Sequence, residues 1–150
     1  MGRVCAAWAL VAMLFGGCTR AERAGPSGPP LRCPPLLRVR PLHGKELANA
    51  PKLAEQGDVG ALVRLADHYF WQGEQTRAKA LALYFEALTR DPWNLKAHLG
   101  AGMILVAQHK PGPALRHLRA ARNRARAGSP ERAYIEAVIR RVGRRTGSEP

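Results

Sequence analysis

The chain has few of the residues on which catalytic and metal chemistry depends. Its three cysteines, Cys5, Cys18 and Cys33, all lie near the N-terminus. The sequence after Cys33 therefore cannot form a disulfide framework or a cysteine-bound zinc cluster. The five histidines show no His-Glu-x-x-His spacing, and neither a Gly-x-Ser-x-Gly elbow nor a Gly-Lys-Ser/Thr phosphate loop occurs. We therefore expect no enzyme activity, no metal and no cofactor.

Acidic residues are also scarce. Asp and Glu number 11 against 24 Lys and Arg, a formal net charge of +13 that attracts anionic partners. Four arginines, Arg116, Arg119, Arg122 and Arg126, follow a helical spacing that aligns them on one face. This arginine face suits lipid headgroups, lipopolysaccharide, acidic protein or nucleic-acid phosphate, and an ordinary solvated face is the alternative. Nucleic acid is disfavoured, because no aromatic residue alternates with these arginines in the sequence to stack on bases.

A long hydrophobic run is absent. The uncharged apolar segment extends only from Val4 to Gly17, which would span about 21 Å as a helix. The hydrocarbon core of a bilayer is about 30 Å thick, so this segment is short for a permanent transmembrane helix. Arg3 precedes it and Arg20 follows it, which is typical of a signal peptide. We expect residues 1–17 to be removed on export.

The end of this segment, Leu14-Phe15-Gly16-Gly17-Cys18, resembles the lipobox of bacterial lipoproteins, although Phe15 stands where that family usually has Leu. The resemblance implies that Cys18 is lipidated and becomes the mature N-terminus. Thr19 after the cysteine, rather than Asp, is similar to lipoproteins sent to the periplasmic face of the outer membrane. The alternative is a conventional cut after Ala21, which would give a soluble periplasmic or secreted protein.

A proline-rich tether follows over residues 18–44. Six prolines lie between Ala24 and Gly44, and proline lacks the amide donor that helices and inner strands require. Cys33 lies in this tether and could pair with another molecule, or it could have no role. After the tether we expect a helical domain over 45–143 and a basic tail over 144–150.

Beyond the tether, apolar residues recur at spacings of three and four, interrupted by Gly or Pro at helix-length intervals. Asp58, Thr76 and Asn94 are placed to cap helices, and Pro111 and Pro130 to begin them. The fold class is therefore all-α. We expect helices over about Asp58–Gln72, Thr76–Arg90 and Asn94–Gln108, one from Pro111 and one from Pro130 to near Gly143, with only short pieces over Lys45–Gln56 because of Pro51.

The small and apolar residues of these helices resemble tetratricopeptide repeats in two copies. The second copy fits without a gap at His98, Ala101-Gly102, Leu105, Ala114, Leu118 and Ala121. The first copy fits at Leu62, Leu65-Ala66, Tyr69, Ala80, Tyr84, Ala87 and Pro92, with a longer turn that is similar to Sel-like repeats.

This resemblance implies antiparallel hairpins stacked as a short solenoid with a terminal capping helix, and a generic helical bundle is the alternative. In such repeats the first helix of each hairpin lines a concave groove that binds a protein partner.

We expect His98 to fill a packing position and His117 to be an exposed neighbour of Arg116. Self-association could complete the short array. The implied function is a protein-protein interaction scaffold in the cell envelope, with binding of an anionic envelope surface as the alternative, and the implied groove residues are Arg64, Asp67, Phe70, Trp71, Lys96 and Met103.

Overall fold

The structure, a computed structural model, describes residues 41–146. The predicted signal peptide, Cys18 and all but the last residues of the tether lie outside this part of the chain. The described part contains six α-helices and one short 3₁₀ turn and no strand, which confirms the all-α prediction. The helices are α1 (Gly44–Glu55), α2 (Val59–Gln72), α3 (Arg77–Arg90), α4 (Leu95–Ala107), α5 (Pro111–Arg124) and α6 (Pro130–Thr146), with the 3₁₀ turn at Glu74–Thr76.

Three of the helix starts have a side-chain cap. Asp58 Oδ1 accepts a hydrogen bond from the amide of Ala61 at 2.9 Å, and Asn94 Oδ1 accepts one from the amide of Ala97 at 3.1 Å. Ser129 Oγ accepts from the amide of Arg132 at 3.2 Å in the same way. Each contact satisfies an amide that the first turn of a helix leaves without a partner. The predicted caps Asp58 and Asn94 are confirmed.

The predicted cap at Thr76 is wrong. Its side chain accepts no bond from α3, because the 3₁₀ turn precedes that helix and Thr76 ends the turn. The hydroxyl instead donates to the carbonyl oxygen of Tyr69 at 2.6 Å, near the C-terminal end of α2. Thr76 therefore satisfies a carbonyl at the end of one helix rather than an amide at the start of the next.

The expectation of short pieces over Lys45–Gln56 is also wrong, since α1 is continuous through Pro51. Proline removes one backbone hydrogen bond, and the ring is exposed, where it meets no neighbouring helix. Ala50 and Ala54 of α1 are buried, and α1 packs against α2. This tertiary contact compensates for the lost bond, which sequence pattern alone could not show.

Each helix packs against the next one, and α2 also contacts α4. The core has two parts, one around Leu62, Tyr84 and Ile104 and one around Leu118, Ile135 and Val138, and all of these side chains are almost fully buried. Glycines let the helices approach closely. A Cβ at Gly100 would lie 2.3 Å from Cζ of Tyr84, and one at Gly102 would lie 2.9 Å from Cγ of Leu118.

Candidate functional site

The six predicted groove residues lie on two helices that contact each other, α2 and α4. Arg64 and Lys96 are exposed, whereas the other four are half-buried. Phe70 packs against the first core cluster and Met103 against the second. The two basic members, Arg64 and Lys96, are therefore the more accessible part of the predicted groove, and Phe70 and Met103 also stabilise the fold.

Asp67 is the electrostatically unusual member of this set. The Tyr84 hydroxyl donates a hydrogen bond to its Oδ1. Burial raises the pKa of Asp67 from 3.8 to about 6, and the bond from Tyr84 and the charge of Lys96 oppose that rise. The pKa of Tyr84 is raised well above its ordinary value, first by burial and then by the Asp67 charge, so the phenol stays protonated and remains the donor. Between α2 and α4 the protein thus holds a carboxyl group that titrates near neutral pH.

A cleft of about 250 Å³ lies between α1 and α2, at one end of the predicted groove. Arg64 lines it from α2. Because α1 was not expected to be continuous, sequence reasoning could not place this cleft. The remaining lining residues come from α1 and the segment before it: Leu42, Lys45, Glu46, Asn49, Ala50 and Leu53.

The predicted arginine face differs in its geometry from the expectation. Arg116 and Arg119 are exposed on α5, while Arg122 is half-buried and its guanidinium donates to Oδ1 of Asn123 at 2.9 and 3.1 Å. Arg126 lies beyond the end of α5 at Arg124, so it does not continue a helical row. The helix ends earlier than the spacing implied, because Ala125 takes an extended conformation.

Arg124 lies off the predicted face yet makes the most specific contact of these arginines. Its guanidinium carbon lies 4.2 Å from the ring centroid of Trp93, a cation–π geometry, and its Nη1 donates to the carbonyl of Ala120 at 3.0 Å. Trp93 is in the turn between α3 and α4 and is 71% exposed. The fold therefore brings an aromatic side chain against the basic helix α5, which the linear spacing did not indicate.

Two histidines continue this surface. Nδ1 of His98 lies 3.1 Å from Nδ1 of His117, and Nε2 of His98 lies 3.1 Å from the carbonyl oxygen of Pro92. A carbonyl only accepts, so Nε2 of His98 donates to it, and in the neutral ring Nδ1 then accepts from Nδ1–H of His117. His117 is half-buried and stacks on Phe85 with the centroids 5.5 Å apart. It is therefore part of a packed contact rather than an exposed neighbour of Arg116.

The pKa of each histidine is lowered. Burial is the main cause for both rings. The Arg124 charge adds to the lowering at His98, where the Pro92 carbonyl and Asp91 oppose it. At His117 the charges of His98 and Arg116 add to the effect. A pKa below 6.5 makes the neutral form of each ring the main one at pH 7, and the hydrogen-bond pattern itself requires a neutral His98.

We call Phe85, Trp93, His98, His117 and Arg124 the aromatic–arginine patch. Its members come from α3, the α3–α4 turn, α4 and α5, so no local motif encodes it. Trp93 after Asp91-Pro92 was the available sequence signal, because a large aromatic residue in a turn has little core to enter. Phe85 is 40% exposed, so two aromatic side chains of the patch are accessible to a partner.

Among residues 41–146, no three His, Cys, Asp or Glu side chains are grouped closely enough to hold a metal ion. In the same part of the chain, every helix is too short or too polar to cross a membrane. Comparisons with protein-family models, with curated proteins and with solved structures found no match for this chain.

Proposed function

We propose that the chain is an exported, lipid-anchored helical-repeat protein that acts as a protein–protein interaction scaffold in the bacterial cell envelope. The observation that carries the proposal is the contact of α2 with α4 in addition to the contacts between consecutive helices. In a stack of helical hairpins the first helices of successive hairpins lie side by side, and α2 and α4 hold those positions.

The proposed arrangement is a short tetratricopeptide-like solenoid. Its hairpins are α2–α3 and α4–α5, preceded by α1 and followed by α6 as a capping helix. Support comes from the close packing at Gly102, since a small residue at this offset is what the repeat pattern requires. Tyr84 against Gly100 joins the second helix of one hairpin to the first helix of the next.

The surface of α2 and α4 is suited to a protein segment that carries both acidic and apolar groups. Arg64 and Lys96 are the accessible cations, and the half-buried Phe70 and Trp71 offer apolar area beside them. Aromatic and arginine side chains carry much of the energy in protein interfaces. The cleft beside Arg64 extends this surface toward α1.

Site-specific photo-crosslinking in the bacterium that produces the chain tests the proposal. A benzoylphenylalanine in place of Lys96 should give one discrete protein adduct in the envelope fraction, and the same group in place of Ala78, exposed on α3, should not. A second groove variant, Arg64→Glu, should reduce the adduct formed at position 96. Equal adducts at positions 78 and 96, or none at position 96, would contradict the proposal.

The second candidate is a structural role at an anionic envelope surface, either lipid or lipopolysaccharide. This candidate is favoured because Arg116, Arg119 and Arg126 form no ion pair with any described acidic residue, which leaves their charges available to an anionic surface. Binding of this kind depends on charge alone and is screened by salt, whereas the apolar contacts that Phe70 and Trp71 offer in the groove are not. Retention of the groove adduct at high salt therefore separates the two functions.

A further inference from the structure

All members of the aromatic–arginine patch except Phe85 lie in the most one-sidedly charged part of the chain. From Pro92 to Pro130 the sequence contains no Asp or Glu. The nearest acid before this stretch, Asp91, is already engaged, since its carboxylate accepts from the amide of Trp93 at 3.0 Å and from Nδ2 of Asn94 at 3.1 Å. The basic residues in the stretch are Lys96, Lys110, Arg116, Arg119, Arg122, Arg124 and Arg126.

Apolar and cationic groups alternate across the patch in space. The Arg124 guanidinium covers one face of the Trp93 ring, and His98 and His117 connect this pair to Phe85. Arg124 follows His117 by seven residues, two helical turns, so both lie on the same side of α5. The charge of Arg116 also acts on His117, which places Arg116 at the margin of the patch.

We propose that the aromatic–arginine patch docks on the surface of a bilayer that contains anionic phospholipid. An indole ring prefers the headgroup region, where its apolar body and its polar N–H edge are both accommodated. A phenyl ring adds apolar area that is buried at the boundary between headgroups and acyl chains. Guanidinium groups bind phosphate oxygens through paired hydrogen bonds, and each basic residue near an anionic surface adds to binding.

The shape of the patch favours a bilayer over a peptide as the occupant. Trp93 projects from a turn, whereas the cleft described above lies between α1 and α2. An exposed turn beside a basic helix can contact an extended surface, while an extended peptide requires a groove or a free strand edge. This docking does not use the residues of the predicted groove. It deepens the second candidate by naming phospholipid as the surface and adding Trp93 and Phe85 to the contact, and it rests on the proposed envelope location.

Trp93 itself can report the contact. The full chain has three tryptophans, so Trp8→Phe and Trp71→Phe leave Trp93 as the sole indole. This chain is mixed with phosphatidylcholine vesicles that contain or lack about 30 mol% phosphatidylglycerol and that carry bromine on the acyl chains near the headgroup. Trp93 fluorescence should be quenched several-fold more in the anionic vesicles, and about 1 M salt should relieve the quenching. A circular dichroism spectrum checks that the helices persist.

Paired variants distinguish binding by the patch from binding by the net charge of the chain. Arg116→Gln with Arg124→Gln should weaken docking by about 25-fold, roughly fivefold for each arginine. The matched control, Arg140→Gln with Arg144→Gln, removes the same charge from exposed positions on α6 and should have a much smaller effect. The single Arg116→Gln variant, at an exposed position, should give about a fivefold loss even if the double variant is poorly folded.

Three results would overturn the proposal. One is unquenched Trp93 in anionic vesicles, which would point to a protein as the occupant of the patch. Another is equal quenching in neutral and anionic vesicles, which would mean that the anionic headgroups have no role. The third is an equal loss of vesicle binding in the two double variants, which would mean that net charge, and not the patch, determines binding.

Discussion

The hydroxyl of Tyr84 on α3 donates a hydrogen bond to Oδ1 of Asp67 on α2, and the charge of Lys96 on α4 also acts on Asp67. One buried phenol therefore connects the packing of three helices, because its ring also lies directly against Gly100. The contact has consequences for stability and for its dependence on pH.

Asp67→Asn should make the protein more stable at neutral and alkaline pH. The pKa of Asp67 is about 6 in the folded chain and near 3.8 when unfolded, so its contribution is fully present below about pH 3.8 and is lost as the pH rises through 6. Asparagine keeps the acceptor for Tyr84 and cannot ionise. Urea unfolding at pH 8 should show a gain of about 2 kcal/mol, with little gain at pH 4. A variant less stable than the parent at pH 8 would contradict this explanation.

Tyr84→Phe tests the same contact by removing the hydrogen-bond donor to Asp67. The hydrogen bond favours the ionised carboxylate, so its loss should raise the pKa of Asp67 above about 6. Carboxyl carbon NMR of Asp67 measures this directly. The variant should also lose about 1 kcal/mol of stability. An unchanged or lower pKa would show that Tyr84 does not act on Asp67.

Gly100→Ala should destabilise the fold by about 1–3 kcal/mol, because the added methyl would lie 2.3 Å from Cζ of a buried tyrosine. Gly112→Ala is the control. Gly112 is also helical, and a Cβ there meets no atom within 4 Å, so that variant should be neutral or slightly stabilising. Chemical denaturation of the two variants beside the parent makes the comparison. Equal effects would mean that close packing on Tyr84 does not require glycine at position 100.

The His98–His117 pair should destabilise the fold as the pH falls. Both folded pKa values lie below the ordinary 6.5, so protonation favours the unfolded chain, and stability is lost as the pH drops below about 6.5. Asp67 has the opposite slope over part of this range, and the measurement is therefore made in the Asp67→Asn background. The double variant His98→Gln with His117→Gln should flatten the slope. Nitrogen NMR should find Nδ1 of His98 unprotonated and Nδ1 of His117 protonated at pH 7, and the reverse would refute the hydrogen-bond assignment.

Sequence patterns predicted the elements that depend on local chemistry. The caps Asp58 and Asn94 and the helix start at Pro130 follow from short-range rules, and all are found in the structure. Rules of this kind failed where a distant contact decides the outcome. Pro51 is tolerated because α1 packs on α2, and Thr76 bonds back to α2 instead of capping α3.

The predicted groove residues were selected by position in a repeat, and the structure places them on two adjoining helices. The aromatic–arginine patch could not be selected in that way. The patch contains Arg124 together with Phe85 and Trp93, which lie well before it in the sequence. These residues share one surface only because α3, α4 and α5 pack together. No aromatic residue lies within the arginine series of the sequence. In the folded protein, however, Trp93 lies against Arg124 on α5.

Location in the envelope is the premise that the scaffold and the bilayer contact share, and it rests on Cys18. The most direct test is to express the full chain and its Cys18→Ser variant in a bacterial host and to measure the intact mass and membrane fractionation of each. The account predicts that the parent loses residues 1–17, gains the mass of acyl chains and fractionates with membranes, and that the variant gains no such mass. Unmodified cytosolic products of both chains would contradict the account and would reopen nucleic acid as the partner of the arginine face.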